Sequence, residues 1–215
     1  SRKHEALVEE IILHKAGQPA LDAYRLKGIH AKMEYLHSCY WNIDASITTD
    51  ATSTDIIQSM QAIGKIQATN GTKACHRYVI SNSRHALDVF SILILMKWIY
   101  ASHLKARGQV QTVMLGFSDG TKDGGYLKAN WSIYTCKEEV TATSRANGVK
   151  VIFFDGRGGP PARGGGNTHK FYSSLGPSIE NKEIQLTIQG QTSSSNFGNK
   201  DLAIYSIEQL LTAGT

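Results

Sequence analysis

The sequence has few of the features that mark secreted, membrane-bound or disordered proteins. Its 215 residues include only three cysteines, an odd number at wide spacing that suits neither a disulfide framework nor a zinc site. Residues 1–5 do not read as a secretion signal. The most apolar run, residues 86–98, contains Asp88 and Lys97 and is too short to cross a bilayer. We therefore expect a cytoplasmic protein without a membrane partner.

The sequence also lacks a strong excess of positive or negative charge. The chain has 23 Lys plus Arg and 18 Asp plus Glu, so its formal net charge is only +5. No run of Lys or Arg makes the basic stripe that nucleic-acid binding requires, and we expect no nucleic-acid partner. A solvated surface with one local anion site explains the mild surplus better. With 41% hydrophobic and 19% charged residues, the composition is that of a globular protein.

The pattern of apolar residues changes near residue 72. Residues 1–72 carry apolar positions at helical spacing and predict a helical region. Residues 73–215 instead contain four short apolar or β-branched runs separated by helical patterns. These predicted strands are residues 77–81, 112–117, 150–154 and 184–188. The order of strand, helix and strand predicts parallel crossovers. We therefore expect residues 73–215 to form an α/β region.

Polar residues follow each predicted strand directly. They occupy residues 81–84, 118–123, 155–159 and 189–191. In parallel α/β folds, ligands bind at the carboxyl ends of the strands. We therefore expect one site built from these four loops, with Asp119 and Arg157 facing the same cavity.

The segment 156–166 combines six glycines with Arg157 and Arg163. Glycines expose backbone N–H groups to an anion, and arginine forks match phosphate and carboxylate groups. The pattern favours a pocket for a small, multiply charged anion. A flexible linker would not follow the apolar pair Phe153-Phe154 directly, and an Arg-Gly-Gly box that binds RNA would repeat within a disordered tail.

The loop at residues 118–125 lacks the spacing of a phosphate-binding P-loop. Asp119 suits a hard cation, but a helix N-cap explains it equally well. Lys122 can face the same anion as the arginines. His169 fits the start of a helix better than a catalytic role.

Taken together, these segments resemble phosphoenolpyruvate carboxylase. That family carries a "(L/I)GYSDS-KDAG" loop, an "FHGRGG---RGG" loop and a "T-QGE" strand end, in this order and at this spacing. The matching segments here are residues 113–119, 153–159, 163–166 and 187–190. The similarity covers roughly residues 75–198 and is weak over residues 1–72.

The resemblance implies part of a (β/α)8 barrel with parallel strands, preceded by a mainly helical region, in a cytoplasmic homotetramer. The family adds bicarbonate to phosphoenolpyruvate, with Mg²⁺ or Mn²⁺, to give oxaloacetate and phosphate. Bicarbonate attacks the phosphoryl group, and the resulting enolate then captures carbon dioxide from carboxyphosphate. Arginines, glycine N–H groups and a metal suit the charges that develop.

The resemblance also implies roles for single residues. Asp119 matches a metal ligand, and Lys122 matches the lysine of the "SDS-KD" loop. Arg157 and Arg163 match arginines of the substrate site, the latter on a mobile glycine loop. The remaining residues of the implied substrate-binding set are Gly164, Gly165 and Gln189.

Several positions depart from the family pattern. Asp155 stands where the family has the catalytic histidine of "FHGRGG". A carboxylate is a poorer neutral base and adds negative charge beside an anionic substrate, so in a catalytic role Asp155 is expected to bind the metal or reposition a base. Gln191 replaces the glutamate of "QGE".

The "PLFET"-type strand, which carries a second metal-binding glutamate, is missing between the first two predicted strands. We therefore expect residues 98 and 99 not to be true neighbours, with a stretch missing between them. Four strands do not close a barrel. The chain is thus expected to be a fragment of an enzyme several times longer.

Two other functions compete with the carboxylase. The second is a non-catalytic anion-binding module that has kept the arginine loop after losing the histidine. The third is a nucleic-acid binder that uses the Arg-Gly-Gly segments. An "AHPTE"-like motif upstream in the parent reading frame and a "PLFET"-like segment near residue 98 would favour the enzyme.

We predict that the 215-residue chain alone forms no oxaloacetate from phosphoenolpyruvate, bicarbonate and Mg²⁺. Half of the family's anion-binding groups and one of its metal ligands have no counterpart in the sequence. The measurement is oxaloacetate production by the purified chain. Turnover above background would show that the fragment interpretation is wrong.

Overall fold

A computed structural model describes residues 2–43, 45–47, 50–71, 74, 79–83, 86–99, 103–157, 168–188 and 190–213. The chain divides into two compact units. One contains Ser1–Tyr78 with Leu87–Gln109, and the other contains Val79–Ala86 with Val110–Thr215. Of the predicted site residues, Arg163, Gly164, Gly165 and Gln189 lie outside the described residues.

The first unit is helical, and the helices within residues 1–72 agree with the apolar spacing there. Its helices are α1 (Arg2–Ala16), α2 (Gln18–Arg25), α3 (Ile29–Ser38), α4 (Ala51–Asn70), most of α5 (Ala86–Ile99) and α6 (His103–Ala106), with a 3-10 turn at Ala45–Ile47. Helix α4 begins at a true cap, because the Asp50 carboxylate accepts a hydrogen bond of 2.9 Å from the Ser53 amide.

Apolar side chains from α1 and α5 form the interior of this helical unit. Leu7, Val8, Ile11 and Ile12 lie on one side of α1 and are fully buried. Their spacing places them on one helix face.

Trp98, near the end of α5, is fixed by both packing and hydrogen bonds. Its ring centroid lies 4.9 Å from that of Trp41, and its indole Nε1 donates to the Cys39 carbonyl at 3.2 Å. Its own carbonyl accepts from the Ile43 amide at 3.2 Å. Helix α5 continues through residues 98 and 99 without a break. The expected missing stretch therefore stays a prediction about the parent gene.

The second unit contains a parallel sheet, which confirms the predicted α/β class. Its strands are β1 (Val79–Ser83), β2 (Val110–Leu115), β3 (Lys150–Asp155) and β4 (Ile184–Leu186). Its helices are α7 (Phe117–Gly124), α8 (Tyr126–Ala146), α9 (Thr168–Ser173), α10 (Gln191–Phe197) and α11 (Lys200–Thr212). The strands lie in the order β1-β2-β3-β4, and every neighbouring pair is parallel.

The two central strands are buried along most of their length, as their continuous apolar runs predict. Their register carries Val110 opposite Lys150 and ends with Leu115 opposite Asp155. On the far side of β3, Asp155 also lies opposite Leu186. Asp155 is thus held between two strands at the carboxyl end of the sheet.

The strand ends differ slightly from the sequence prediction. The sequence predicts a strand over residues 112–117, but β2 ends at Leu115 and Phe117 begins α7. Helix α8 ends at Ala146, and Gly148 follows with a φ of 65°, a conformation that glycine adopts readily after a helix. No helix of the described residues is long and apolar enough to cross a membrane.

We predict that Trp98→Ala lowers the free energy of unfolding by about 3–5 kcal/mol, because it empties a fully packed site. Trp131→Ala is the matched control, since the Trp131 side chain is largely exposed and should matter by less than about 0.5 kcal/mol. Urea unfolding followed by circular dichroism measures both. Equal losses in the two variants would contradict the position of Trp98 in the core.

Candidate functional site

The centre of the candidate site is Asp155, the last residue of β3. Its side chain is 1% exposed, and one of its oxygens, Oδ2, accepts two hydrogen bonds. The Lys137 ammonium donates at 2.8 Å, and the Tyr172 hydroxyl donates at 2.7 Å. Lys137 lies on α8 and Tyr172 on α9, so this carboxylate links two helices to the sheet.

Lys137 is as deeply buried as its partner, with 2% of its side chain exposed. Three aromatic rings surround its ammonium: the Nζ atom lies 5.0 Å from the Phe153 ring centroid, 5.2 Å from that of Phe171 and 5.7 Å from that of Tyr172. Ring faces attract a cation that has lost its water. Burial lowers the pKa of Lys137, and the neighbouring Asp155 carboxylate opposes that shift.

Tyr172 is fixed as a hydrogen-bond donor. Burial raises its pKa far above the ordinary value, and the charge of Asp155 raises it further. The hydroxyl therefore keeps its proton throughout the physiological pH range and donates it to the carboxylate. The result is a buried group of one carboxylate, one ammonium and one phenol, which we call the Lys137–Asp155–Tyr172 cluster.

Arg157 lies two residues beyond the end of β3 and is also buried. Its guanidinium carbon lies 3.8 Å from the ring centroid of Phe171 and 5.3 Å from that of Phe117. Burial lowers the pKa of Arg157, but the ordinary pKa of an arginine is so high that the guanidinium stays charged. Aromatic contacts thus hold a permanent positive charge at the carboxyl end of the sheet.

Gly156 lets the chain turn between these two side chains. Its amide donates to the Leu115 carbonyl at 3.0 Å, and the Arg157 amide donates to the Asp155 carbonyl at 2.8 Å. A Cβ atom at Gly156 would lie only 3.0 Å from the same Leu115 oxygen. A side chain here would require the Leu115 backbone to shift by a few tenths of an ångström, which favours glycine at this position.

Asp119 and Lys122 lie on α7, directly after β2. The structure places Gly116 at the N-cap of this helix, so the N-cap interpretation of Asp119 is wrong. Asp119 instead sits in the first turn, where a negative charge suits the helix dipole. Its side chain is 61% exposed, and its Oδ1 lies 3.6 Å from the Lys122 Nζ, a weak surface pair.

The expected shared cavity of Asp119 and Arg157 stays a prediction. Both residues follow parallel, neighbouring strands, which puts their backbones at the same edge of the sheet. Among the described residues, no three His, Cys, Asp or Glu side chains could together hold a metal ion. His169 lies in the first turn of α9, the helix start expected from the sequence.

Sequence reasoning missed Lys137, Phe171 and Tyr172. Lys137 lies within the buried face of α8, whose other buried members include Ile133, Cys136 and Val140. A lysine that interrupts a helical apolar face was the available signal. Its partner is 18 residues away in sequence, so the pattern alone did not show which carboxylate it pairs with.

We predict that Tyr172→Phe lowers the free energy of unfolding by about 1–3 kcal/mol, because the buried Asp155 carboxylate loses one of its two donors. The matched control is Tyr205→Phe, since the Tyr205 side chain is largely exposed and should change stability by less than about 0.5 kcal/mol. Chemical denaturation measures both variants. An unchanged Tyr172→Phe variant would contradict the cluster geometry.

Comparison with known proteins identifies the family. The sequence model of phosphoenolpyruvate carboxylase matches residues 1–101 and residues 98–214, including the helical region where the motifs are weak. Phosphoenolpyruvate carboxylase 2 of Chlamydomonas reinhardtii is 42% identical over 129 residues, which are 60% of this chain and 10% of that protein. The matched part thus spans about a tenth of the length of the relative. Because the two matches cover almost the whole sequence, the chain belongs to the phosphoenolpyruvate carboxylase family.

Proposed function

We propose that the chain is part of a phosphoenolpyruvate carboxylase, which adds bicarbonate to phosphoenolpyruvate and forms oxaloacetate and phosphate. The observation that carries the proposal is Arg157, a buried cation fixed by aromatic rings at the carboxyl end of a parallel sheet. Family membership supplies the reaction, and the charge at this position suits a small, multiply charged anion.

Arg157 contributes a preorganised positive charge. Its guanidinium rests on Phe171, so little reorganisation is needed when negative charge develops on the substrate. We propose that the following segment completes the anion site through Arg163, Gly164 and Gly165, with Gln189 after β4 as a further contact. Lys122 on α7 is proposed to face the same anion.

Asp119 is the proposed metal ligand. Its carboxylate is exposed, and its weak pairing with Lys122 leaves it able to coordinate a cation. Mg²⁺ commonly takes one or two carboxylates together with substrate phosphate oxygens, so a single carboxylate here fits Mg²⁺ or Mn²⁺. When bound, such a metal would supply Lewis-acid stabilisation of the substrate oxygens.

The proposed reaction has two stages. Bicarbonate oxygen attacks phosphorus and the bond to the enol oxygen breaks, which gives carboxyphosphate and the pyruvate enolate. The carbon–oxygen bond of carboxyphosphate then breaks to release carbon dioxide and phosphate, which keeps the bicarbonate proton, and the enolate carbon captures the carbon dioxide to form oxaloacetate. Arg157 and Arg163 offset the negative charge in both stages, and closure of the glycine segment keeps water from protonating the enolate.

Asp155 is proposed to act by positioning rather than by proton transfer. Its Oδ2 is engaged by both Lys137 and Tyr172, and its side chain is buried. A carboxylate held in this way is a poor substitute for a base that must reach the substrate. Its contribution is to fix the end of β3, from which Arg157 extends.

The wider architecture is also a proposal. We propose that the whole protein is a cytoplasmic homotetramer and that this parallel sheet is part of a (β/α)8 barrel. In that enzyme, residues 1–72 would form a helical region and residues 73–215 would contribute to the barrel. The two family matches meet near residue 100, where the "PLFET"-type strand was expected, and this supports a missing stretch there.

A non-catalytic anion-binding module is the second candidate. One observation favours it: the residue in place of the family histidine is locked in a buried ion pair. Such a module would bind phosphoenolpyruvate but would not turn it over, even in the parent protein. Oxaloacetate formation by the parent protein decides between the two candidates.

We predict that Arg163→Ala in the parent enzyme lowers the carboxylation rate by roughly 10²-fold or more, as expected when a preorganised charge is lost. Stability should change by less than about 0.5 kcal/mol, because a segment so rich in glycine does not hold a packed core. Phosphate should still be released in part, since an unprotected enolate is protonated.

Oxaloacetate and phosphate are followed separately, beside a melting curve. Arg145→Ala is the control, because Arg145 is an exposed arginine that pairs with Glu180 at the surface. An unchanged oxaloacetate rate, or a large loss of melting temperature alone, would make Arg163 a structural residue.

A further inference from the structure

The position of Asp155 poses an electrostatic problem. A buried carboxylate two residues from Arg157 places negative charge where the proposed function requires attraction for an anion. Opposite charges at short range attract strongly in a buried site, and like charges repel equally strongly. An uncompensated Asp155 would therefore weaken the binding of an anion at this end of the sheet.

Lys137 resolves this problem. Its ammonium lies 2.8 Å from Asp155 Oδ2, and both side chains are almost completely excluded from water. Two opposite charges at that distance form a pair with no net charge. The pair therefore does not subtract from the positive charge that Arg157 provides.

The described residues on either side of the glycine and arginine segment lie close to the same cluster. Arg157 stacks on Phe171, while the next residue of α9, Tyr172, donates to Asp155. Helix α9 begins at Thr168. The end of β3 and the start of α9 are thus joined through one group of side chains.

The two donors of Asp155 share one of its oxygens. Both donate to Oδ2, and no described residue donates to the buried Oδ1. The ammonium and the phenol are thus held close together around a single carboxylate oxygen.

We propose that Lys137 is a positioning residue: it neutralises Asp155 and, together with Tyr172, makes the carboxyl end of β3 compatible with an anionic ligand. This inference rests on the proposed function, because it assumes that the ligand is an anion. It assigns a role to Lys137 and Tyr172, which do not belong to the family motifs found in the sequence.

A charge-removal cycle on the 215-residue chain tests the proposal. The variants are Lys137→Gln, Asp155→Asn and the double variant, and calorimetry measures their affinity for phosphoenolpyruvate. Lys137→Gln should weaken binding by about tenfold or more, because it leaves an uncompensated negative charge two residues from Arg157. The double variant should bind within about threefold of the original chain, since it carries no net change of charge.

A purely structural role predicts a different pattern. In that case Asp155→Asn would weaken binding as much as Lys137→Gln, and the double variant would be no better than either. Our proposal instead expects Asp155→Asn to bind at least as tightly as the original chain. Either Asp155→Asn binding that is clearly weaker or a Lys137→Gln variant with unchanged affinity overturns the inference.

Two further measurements keep the test decisive. If Lys137→Gln does not fold, Lys137→Arg retains the charge and should retain the affinity, while the double variant still reports the neutral state. Infrared spectra should show the carboxylate stretch of Asp155 shifted in Lys137→Gln relative to the original chain, because the ammonium donor is lost, and absent from the double variant.

The infrared result separates the inference from the proposed function. An original chain that binds no phosphoenolpyruvate would overturn the anion site, whereas the carboxylate shift reports the pairing of Lys137 with Asp155 without any ligand. An unshifted carboxylate band, or a protonated acid in its place, in a folded Lys137→Gln variant would overturn the role of Lys137.

Discussion

The ion pair between Lys137 and Asp155 is the constraint on which the candidate site depends. It joins the longest helix of the sheet unit, α8, to the end of its central strand β3. Removing one partner of a buried pair is costly, because the other charge is left in a medium that does not solvate it. The position of β3, and with it the position of Arg157, is therefore coupled to both charges.

Aromatic side chains extend this constraint to Arg157. Phe171 contacts both cations: its ring centroid lies 5.2 Å from the Lys137 ammonium and 3.8 Å from the Arg157 guanidinium carbon. Phe117 packs edge-on against Phe171 at 5.5 Å and brings the start of α7 into the same group. The start of α7, which follows β2, and Arg157, which follows β3, are thereby held by one set of contacts.

The replacement of the family histidine by Asp155 is consistent with this arrangement. An aspartate in place of a base seemed unfavourable beside an anionic substrate, as long as the carboxylate was considered alone. Lys137 supplies the compensating charge, and Tyr172 supplies a neutral donor that keeps its proton. Asp155, which departs from the family motif, is therefore one member of a buried network of three side chains. The proposed positioning role follows from these contacts.

The sequence by itself determined the parallel strands, the helical region and the glycine and arginine segment, because each depends on a local pattern. Alternation of apolar runs with helical spacing identifies β2, β3 and α8 within a few residues. The tertiary structure alone decided the partners of Asp155, since Lys137 and Tyr172 lie 18 and 17 residues away. Only the packing of α8 and α9 on β3 brings these groups together, and no local periodicity encodes a contact between elements. The same packing removed water from three ionisable side chains, and their pKa shifts follow from that burial rather than from residue type.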